Sequence, residues 1–263
     1  GKVETVDHLR GLKYTQEFHD NLGRMSEPVI KPVKGAAAKP YTKVSFKPDY
    51  ARFGLPGGLT SDMVALFRKR VCDIAAVTDH THKKIKVTFN DVPVPVRNFQ
   101  QYIDLYLGSA RGAAAADADG GPPAGRRVYE EASERWEYAV ALSPTHQFEQ
   151  VSFVNGICTH KGGKHVDYVL GQIIRKLSAY IEKKKKITVN ANTIKEQLML
   201  FLRCDIENPA FDSQTKDYMN TPSNRFGSTC NISDAFIEKV AKLGVMDAAC
   251  ALTEVKERSM AAK

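Results

Sequence analysis

The sequence predicts an α+β chain, and three observations predict it. Short β-prone runs divided by turn residues open the chain. A long helix with apolar residues at three- and four-residue steps lies between strand-like runs, and capped helical segments close it. The opening runs are Val3 with Thr5, residues 14–18, 29–33 and 41–46. Asn21, Leu22 and Gly23 divide the second from the third, and Gly35 and Pro40 precede the fourth. Consecutive strands on short connections predict an antiparallel meander. No layer to pack against it precedes it, so the start of this domain is expected to be missing from the chain.

Thr60 or Ser61 then caps a helix whose apolar stripe is Met63, Leu66, Phe67, Val71, Ile74 and Ala75. Residues 85–89 alternate as a strand, and Asn90-Asp91 turns it back. Residues 108–127 are rich in Ala, Gly and Pro and read as a low-complexity loop. Trp136, Tyr138, Val140 and Leu142 alternate as a strand, and Phe148, Val151, Phe153 and Val154 mark another. Val166, Val169, Leu170, Ile173, Leu177, Tyr180 and Ile181 form the stripe of the long helix, which ends in Lys183–Lys186. Thr193 and Glu196 have capping-box spacing for a short helix, and residues 198–206 read as a buried strand. Ser233 opens a final helical region, broken near Gly244.

Composition narrows the function classes. The 263 residues are 43% hydrophobic and 26% charged, as in a folded globular protein. Lys and Arg number 38 against 30 Asp and Glu, a net charge of +8. Residues 160–186 hold eight of the basic residues against Asp167 and Glu182, so the basicity is local and points to an anionic partner. No uncharged apolar run reaches the ~20 residues of a membrane span, so no membrane partner is expected. The five cysteines are odd in number and widely spaced, which predicts reduced thiols rather than disulfides or a zinc site.

Four groups of residues are candidates for chemistry. Lys183, Lys184, Lys185 and Lys186 are either a solvated helix end or a contact to a nucleic-acid backbone, where each neutralised phosphate releases counterions. Gln214 and Lys216 follow the buried strand and lie two apart, so in an extended loop they point the same way. A Lys charge beside a neutral Gln donor suits a terminal phosphate, although most such triplets are surface polar residues. Residues 159–166 do not have phosphate-loop spacing and read as a strand-to-helix turn in which Gly162 and Gly163 allow close packing. His80 and His82 are a possible metal pair, but no further ligands accompany them, so no metal site is predicted. No Ser/His/Asp or Cys/His arrangement stands out.

The motifs themselves narrow the reading further. Ser152-Phe-Val-Asn155, Lys161-Gly-Gly-Lys-His-Val-Asp-Tyr168, Glu207-Asn-Pro-Ala-Phe-Asp-Ser-Gln-Thr-Lys216 and Phe226-Gly-Ser-Thr-Cys230 resemble the transducer domain of eukaryotic type IIA DNA topoisomerases. Asp20-Asn-Leu-Gly-Arg24, Val44-Ser-Phe-Lys-Pro-Asp49 and Asp73-Ile-Ala75 resemble the end of that family's ATP-binding domain. The resemblance implies that residues 1–97 are the C-terminal part of a Bergerat (GHKL) ATPase fold. It implies that residues 98–263 are a transducer domain with a ribosomal-protein-S5-like fold.

It also implies ATP with Mg2+ as cofactor, with Gln214, Thr215 and Lys216 as ATP contacts. Gln214 and Lys216 would meet the γ-phosphate, and Lys216 would stabilise charge during hydrolysis. The implied partners are double-stranded DNA, touched by Lys183–Lys186, and a second protomer joined through the ATPase gate. The implied location is the nucleus, or another DNA-containing organelle. The family's adenine- and magnesium-binding residues are expected upstream of Val3, and its metal-binding domain and DNA-cleaving tyrosine downstream of Lys263. This segment alone is therefore expected neither to bind ATP well nor to cleave DNA. The basic run lacks the glycine pair that follows it in animal relatives. The rival reading is a stand-alone S5-like nucleic-acid-binding module without enzymatic activity. A mismatch-repair or chaperone relative of the same ATPase class fits the Gln-Thr-Lys context and the His-Val-Asp-Tyr run less well.

Overall fold

A computed structural model describes residues 1–78, 85–108 and 125–261. His80 and His82, and most of the 108–127 segment, lie outside the described residues. The elements begin with β1 (Lys2–Asp7), β2 (Leu12–His19), β3 (Arg24–Met25), β4 (Val29–Pro32), β5 (Tyr41–Ser45) and α1 (Ser61–Val77). Next come β6 (Thr88–Phe89), β7 (Val92–Pro93), α2 (Phe99–Leu107), β8 (Val128–Ser133), β9 (Trp136–Leu142), β10 (Glu149–Val154) and β11 (Ile157–Cys158). Last are β12 (Gly162–Gly163), α3 (Lys164–Lys185), α4 (Ala191–Lys195), β13 (Leu198–Cys204), β14 (Tyr218–Met219), α5 (Asp234–Val240) and α6 (Met246–Ala261). The chain divides into two compact units, Gly1–Leu66 and Phe67–Lys263.

The first unit is an antiparallel sheet but not a meander. β5 returns to pair with β1, placing Val44 opposite Val3, while β3 and β4 both pair with β2. A short 3-10 turn at Gly35–Ala38, entered with Gly35 at φ 60°, precedes that return. Asp20, Asn21 and Leu22 adopt left-handed φ of 52°, 53° and 72° in the turn predicted there. Val6 is the one buried residue of this unit, and Ile30, Val44 and Phe46 remain exposed.

The second unit is built on a sheet in the order β11-β10-β13-β9-β8, antiparallel except between β10 and β13. α3 and α4 lie in the connection between those two parallel strands. Side chains alternate across the sheet. Trp136, Tyr138, Val140, Leu198, Leu200 and Leu202 join Val169, Ile173, Leu177 and Phe236 in one core. Ala139, Ala141, Phe153, Met199 and Phe201 join Phe99, Tyr102, Ile103 and Ala75 in the other. β9 is consequently buried on both faces from Trp136 to Ala141, where alternation had implied one wet face.

α2 supplies the second cover and was not expected from the sequence. Its signals are present: Asn98 accepts a cap bond from the Gln101 N–H at 2.8 Å, and Phe99, Tyr102, Ile103 and Tyr106 keep helical spacing. β8 also went unforeseen, because Glu130, Glu131 and Ser133 dilute its apolar pattern.

α1 begins at its predicted cap, with Thr60 Oγ1 accepting from the Met63 N–H at 3.3 Å. The predicted stripe is only partly the buried face. Of its members Ala75 is buried and Met63 and Val71 half-buried, but Leu66, Phe67 and Ile74 are exposed, while Asp73 and Ala76, outside the stripe, are buried. Small residues let the helix come close, and the Asp73 carboxylate accepts from the Tyr102 hydroxyl at 2.6 Å and from Lys69 at 2.9 Å. The expected strand at 85–89 shortens to β6, in a hairpin with β7 whose turn residues Asn90 and Asp91 are left-handed.

α4 starts earlier than the capping-box reading placed it. Asn190, not Thr193, is the cap and accepts from the Asn192 N–H at 2.8 Å. Thr193 lies inside the helix and is buried. α5 and α6 meet across the predicted break, a π-type turn with Gly244 at φ 117°. At the border of the low-complexity segment, the Gly125 N–H reaches the Leu107 carbonyl at 2.6 Å and Arg127 pairs with Asp104 at 2.6 Å. Gly125 and Arg127, the last residues of that segment, are thus held in place in the turn that leads into β8. All five cysteines are free thiols.

Candidate functional site

The segment after β13 is fixed at its root by Asn155. Its side-chain amide donates to the Ile206 carbonyl at 2.9 Å, and its oxygen accepts from the Ile206 N–H at 2.8 Å. Further along, Phe211 bridges to Met219, and the Asn220 N–H donates to the Ala210 carbonyl at 3.0 Å. These pairings close a hairpin-like loop that carries Gln214, Thr215 and Lys216.

The loop tip is a tight turn, not the extended strand on which Gln214 and Lys216 would share a side. The Lys216 N–H donates to the Ser213 carbonyl at 3.1 Å, and Lys216 takes a left-handed φ of 58°. Small polar side chains cause the bend. Thr215 Oγ1 lies 2.9 Å from Ser213 Oγ and donates to Asp217 Oδ2 at 2.9 Å, a local pattern that competes with extended backbone.

Gln214, Thr215 and Lys216 are all exposed. The Lys216 ammonium rests 5.6 Å from the centre of the Phe211 ring. Among the described residues no carboxylate pairs with Lys216, and the Gln214 amide has no hydrogen-bond partner. The turn thus carries one uncompensated cation at Lys216 and one unused amide at Gln214, two residues apart, on a loop held at both ends. No cluster of three or more His, Cys, Asp or Glu suited to a metal ion occurs among the described residues.

Asp217, which the sequence reading did not single out, joins this turn to the approach of α3. Its carboxylate lies 3.3 Å from His160 Nδ1 and 3.4 Å from Lys161 Nζ, and its carbonyl accepts from the Lys161 N–H at 3.0 Å. The Thr215 hydroxyl, then His160 and Lys161, hold the Asp217 carboxyl below the usual carboxylate range. The signal was an acidic residue directly after the triplet, in a sequence already dense in basic groups at 160–164.

The glycine pair before α3 performs the close packing predicted for it. Gly162 and Gly163 run parallel to Tyr218 and Met219 as β12 and β14. Gly163 has φ 144°, and a Cβ on it would stand 2.2 Å from the Met219 carbonyl oxygen. Two residues on, His165 is fully buried. Its Nε2 lies 3.0 Å from Thr159 Oγ1, which is 2.6 Å from Ser152 Oγ. Burial pushes the His165 pKa down to about 3, so the ring is neutral.

Other motif residues also prove architectural. Tyr168, Phe226 and Trp136 form an aromatic cluster with centroids 5.5–5.8 Å apart, and the Tyr168 hydroxyl donates to the Cys230 carbonyl at 3.0 Å.

The second candidate lies at the far end of α3. Lys183, Lys184 and Lys185 form its last turn, and Lys186 caps it in a left-handed conformation at φ 58°. All four are exposed. Lys185 pairs with Asp247 at 3.6 Å, and Lys184 lies 5.8 Å from the Tyr180 ring. Lys183 and Lys186 have no ion-pair partner among the described residues and line a shallow depression with Ala179 and Glu182. The four lysines are thus not equivalent. At ~1.5 Å per residue the 22 residues of α3 span about 33 Å, with the contacts of Asp217 to His160 and Lys161 just before its start and the lysines at its end. The structure does not bring them together.

The central sheet is thus covered on both faces and followed by a loop that presents an unpaired cation and an unused amide. The same fold occurs in the ATPase region of Saccharomyces cerevisiae topoisomerase II, at TM-score 0.82 and 36% identity over 96% of this chain and 60% of that one. It also occurs in the ATPase and transducer domains of DNA topoisomerase II from Balamuthia mandrillaris, at TM-score 0.84 and 33% identity over 98% and 61%. The DNA gyrase B family matches residues 98–262, and the chain belongs to that family of type II topoisomerases. DNA topoisomerase 2 of Arabidopsis thaliana is 44% identical over 246 residues, 93% of this chain and 16% of that protein. The chain thus spans about a sixth of the curated relatives it matches.

Proposed function

We propose that this chain is the nucleotide-coupling segment of an ATP-dependent DNA topoisomerase II. Such an enzyme changes DNA topology by passing one duplex through a transient double-strand break in another. Residues 1–97 belong in this reading to the ATPase domain and residues 98–263 to an S5-like transducer. The observation that carries it is the exposed Lys216 ammonium, uncompensated by any described carboxylate, on the same tight turn as the unused Gln214 amide.

ATP with Mg2+ supplies the terminal phosphoanhydride whose cleavage drives the cycle. Lys216 holds a positive charge where negative charge accumulates on the γ-phosphate, and Gln214 donates a neutral hydrogen bond there. When phosphate leaves, Lys216 loses that partner and keeps the Phe211 ring, so the turn meets two different environments in the two states. Lys183–Lys186 contact the DNA backbone, with Lys183 and Lys186 the stronger members because Lys185 already has Asp247. Two protomers closing around duplex DNA in the nucleus complete the reading. A stand-alone nucleic-acid-binding module is not favoured, because the relatives are topoisomerases over nearly the whole chain.

The test is Lys216→Ala in the full-length enzyme. Removing one preorganised charge from a transferring phosphoryl group lowers kcat by roughly 100-fold, while DNA cleavage without ATP persists. ATP turnover equal to that of the unaltered enzyme refutes the assignment.

A further inference from the structure

Resting on that reading of Lys216, we infer that Asp217 is the positioning residue of the phosphate-contacting turn. It locks the turn through Thr215 and fastens it to the approach of α3 through His160 and Lys161.

The argument begins with the backbone. Lys216 is a non-glycine residue at φ 58°, a conformation that persists only where the surroundings over-determine it. Its own side chain supplies little restraint, since the ammonium leans on the Phe211 ring and is otherwise exposed. The N-terminal restraint is the bond from the Lys216 N–H to the Ser213 carbonyl at 3.1 Å. The C-terminal restraint is Asp217. Its side chain is 13% exposed and holds Thr215 Oγ1 at 2.9 Å within the turn, and His160 and Lys161 at 3.3 and 3.4 Å outside it.

Asp217 therefore touches both the exposed tip and the hydrogen-bonded shoulder. The shoulder is firm for independent reasons. Gly162 and Gly163 are paired with Tyr218 and Met219, and the Gln150 amide donates to the His160 carbonyl at 2.9 Å. The Asp217 carboxylate is already committed to Thr215, His160 and Lys161. It sets where the Lys216 Cα sits, and thus where the ammonium can reach.

The distinguishing property of a residue that acts through Lys216 is that it becomes silent once Lys216 is gone. The experiment is a double-mutant cycle in the full-length enzyme, reading kcat and KM for ATP with Asp217→Ala, Asp217→Asn, Lys216→Ala and the corresponding doubles. Misplacing a catalytic group by about an ångström costs up to ~100-fold, so Asp217→Ala is expected to lower kcat by roughly 10- to 100-fold with a smaller change in KM. The near-isosteric Asp217→Asn keeps an acceptor for Thr215 but loses the charge facing His160 and Lys161, and is expected to show a smaller loss.

In the Lys216→Ala background, either substitution at Asp217 should change kcat by less than about twofold, the non-additivity of one functional unit. Should Asp217→Ala fail to fold, the Asp217→Asn pair decides the same question. Additive losses, or wild-type kcat in both Asp217 variants while Lys216→Ala is impaired, overturn this inference alone. An unimpaired Lys216→Ala instead overturns the assignment of Lys216 on which it rests.

Discussion

Gly163→Ala is the sharpest test of how the site is built. Gly163 has φ 144° and ψ −169°, a region that is essentially reserved for glycine and costs about 1–3 kcal/mol for other residues. The added Cβ would also lie 2.2 Å from the Met219 oxygen, 2.7 Å from its nitrogen and 2.9 Å from its carbonyl carbon, where ordinary contact begins at 3.4 Å. All three are backbone atoms, so no side chain can rotate away. The two strands must separate by about an ångström, which breaks the β12–β14 pairing.

Taking about 2 kcal/mol as the floor, local opening becomes roughly 30-fold more frequent at 1.36 kcal/mol per decade. Hydrogen exchange followed by mass spectrometry on the full-length enzyme should show that loss of protection in peptides covering 161–163 and 217–219. Peptides from β9 should keep their protection, because their hydrogen bonds lie in the central sheet. Since β14 begins two residues after Lys216, ATP turnover should fall with it. Unaltered exchange in both peptides would falsify the close-approach argument.

Two further outcomes are expected. Replacing Lys183–Lys186 by Ala should lower the steepness of the DNA-binding salt dependence by about 2–3, less than the ~3.6 of four full phosphate contacts, because Lys185 is shared with Asp247; titrations between 50 and 200 mM salt check this, and an unchanged slope leaves only a solvated helix end. His165 has its folded pKa pushed down to about 3 from 6.5, so the unfolded chain binds the proton more readily. Its contribution to stability is complete above pH 6.5 and is lost as pH falls below it, by up to about 1.4 kcal/mol per pH unit. Denaturant midpoints from pH 7.5 to 5 should show that decline, and His165→Gln should flatten it.

Much of the second unit was legible because its elements carry strong periodicity. The α3 stripe from Val166 to Ile181 and the apolar run from Leu198 admit few other readings, and Gly244 marked the break it makes. α1 misled in part: its stripe included the buried Ala75, but Leu66, Phe67 and Ile74 are bulkier apolar signals than Ala76 and Asp73, which are buried instead. The buried face was chosen instead by the close approach of small residues and by the Asp73–Tyr102 bond, which no spacing rule detects.

β5 misled for a related reason: chain order encodes neighbours along the sequence, and its return to β1 depends on the path taken through Gly35–Ala38. At the candidate site the residue types were legible, but the turn was not. Ser213, Thr215 and Asp217 hydrogen-bond with one another, and that local competition replaces the extended loop implied by alternation. For Asp217 the acidic residue beside the triplet was legible, but its partners were not, because His160 and Lys161 come to meet it from another part of the chain.

The length of α3 has one more consequence. Mobile ions at physiological salt damp a charge's influence over about 8 Å, and some 33 Å of helix is about four such lengths. Anything bound at Lys216 is electrically hidden from Lys183 and Lys186. If nucleotide and DNA sense each other across this segment, the message passes through packed side chains and backbone, and added salt should weaken the DNA grip without muting the message.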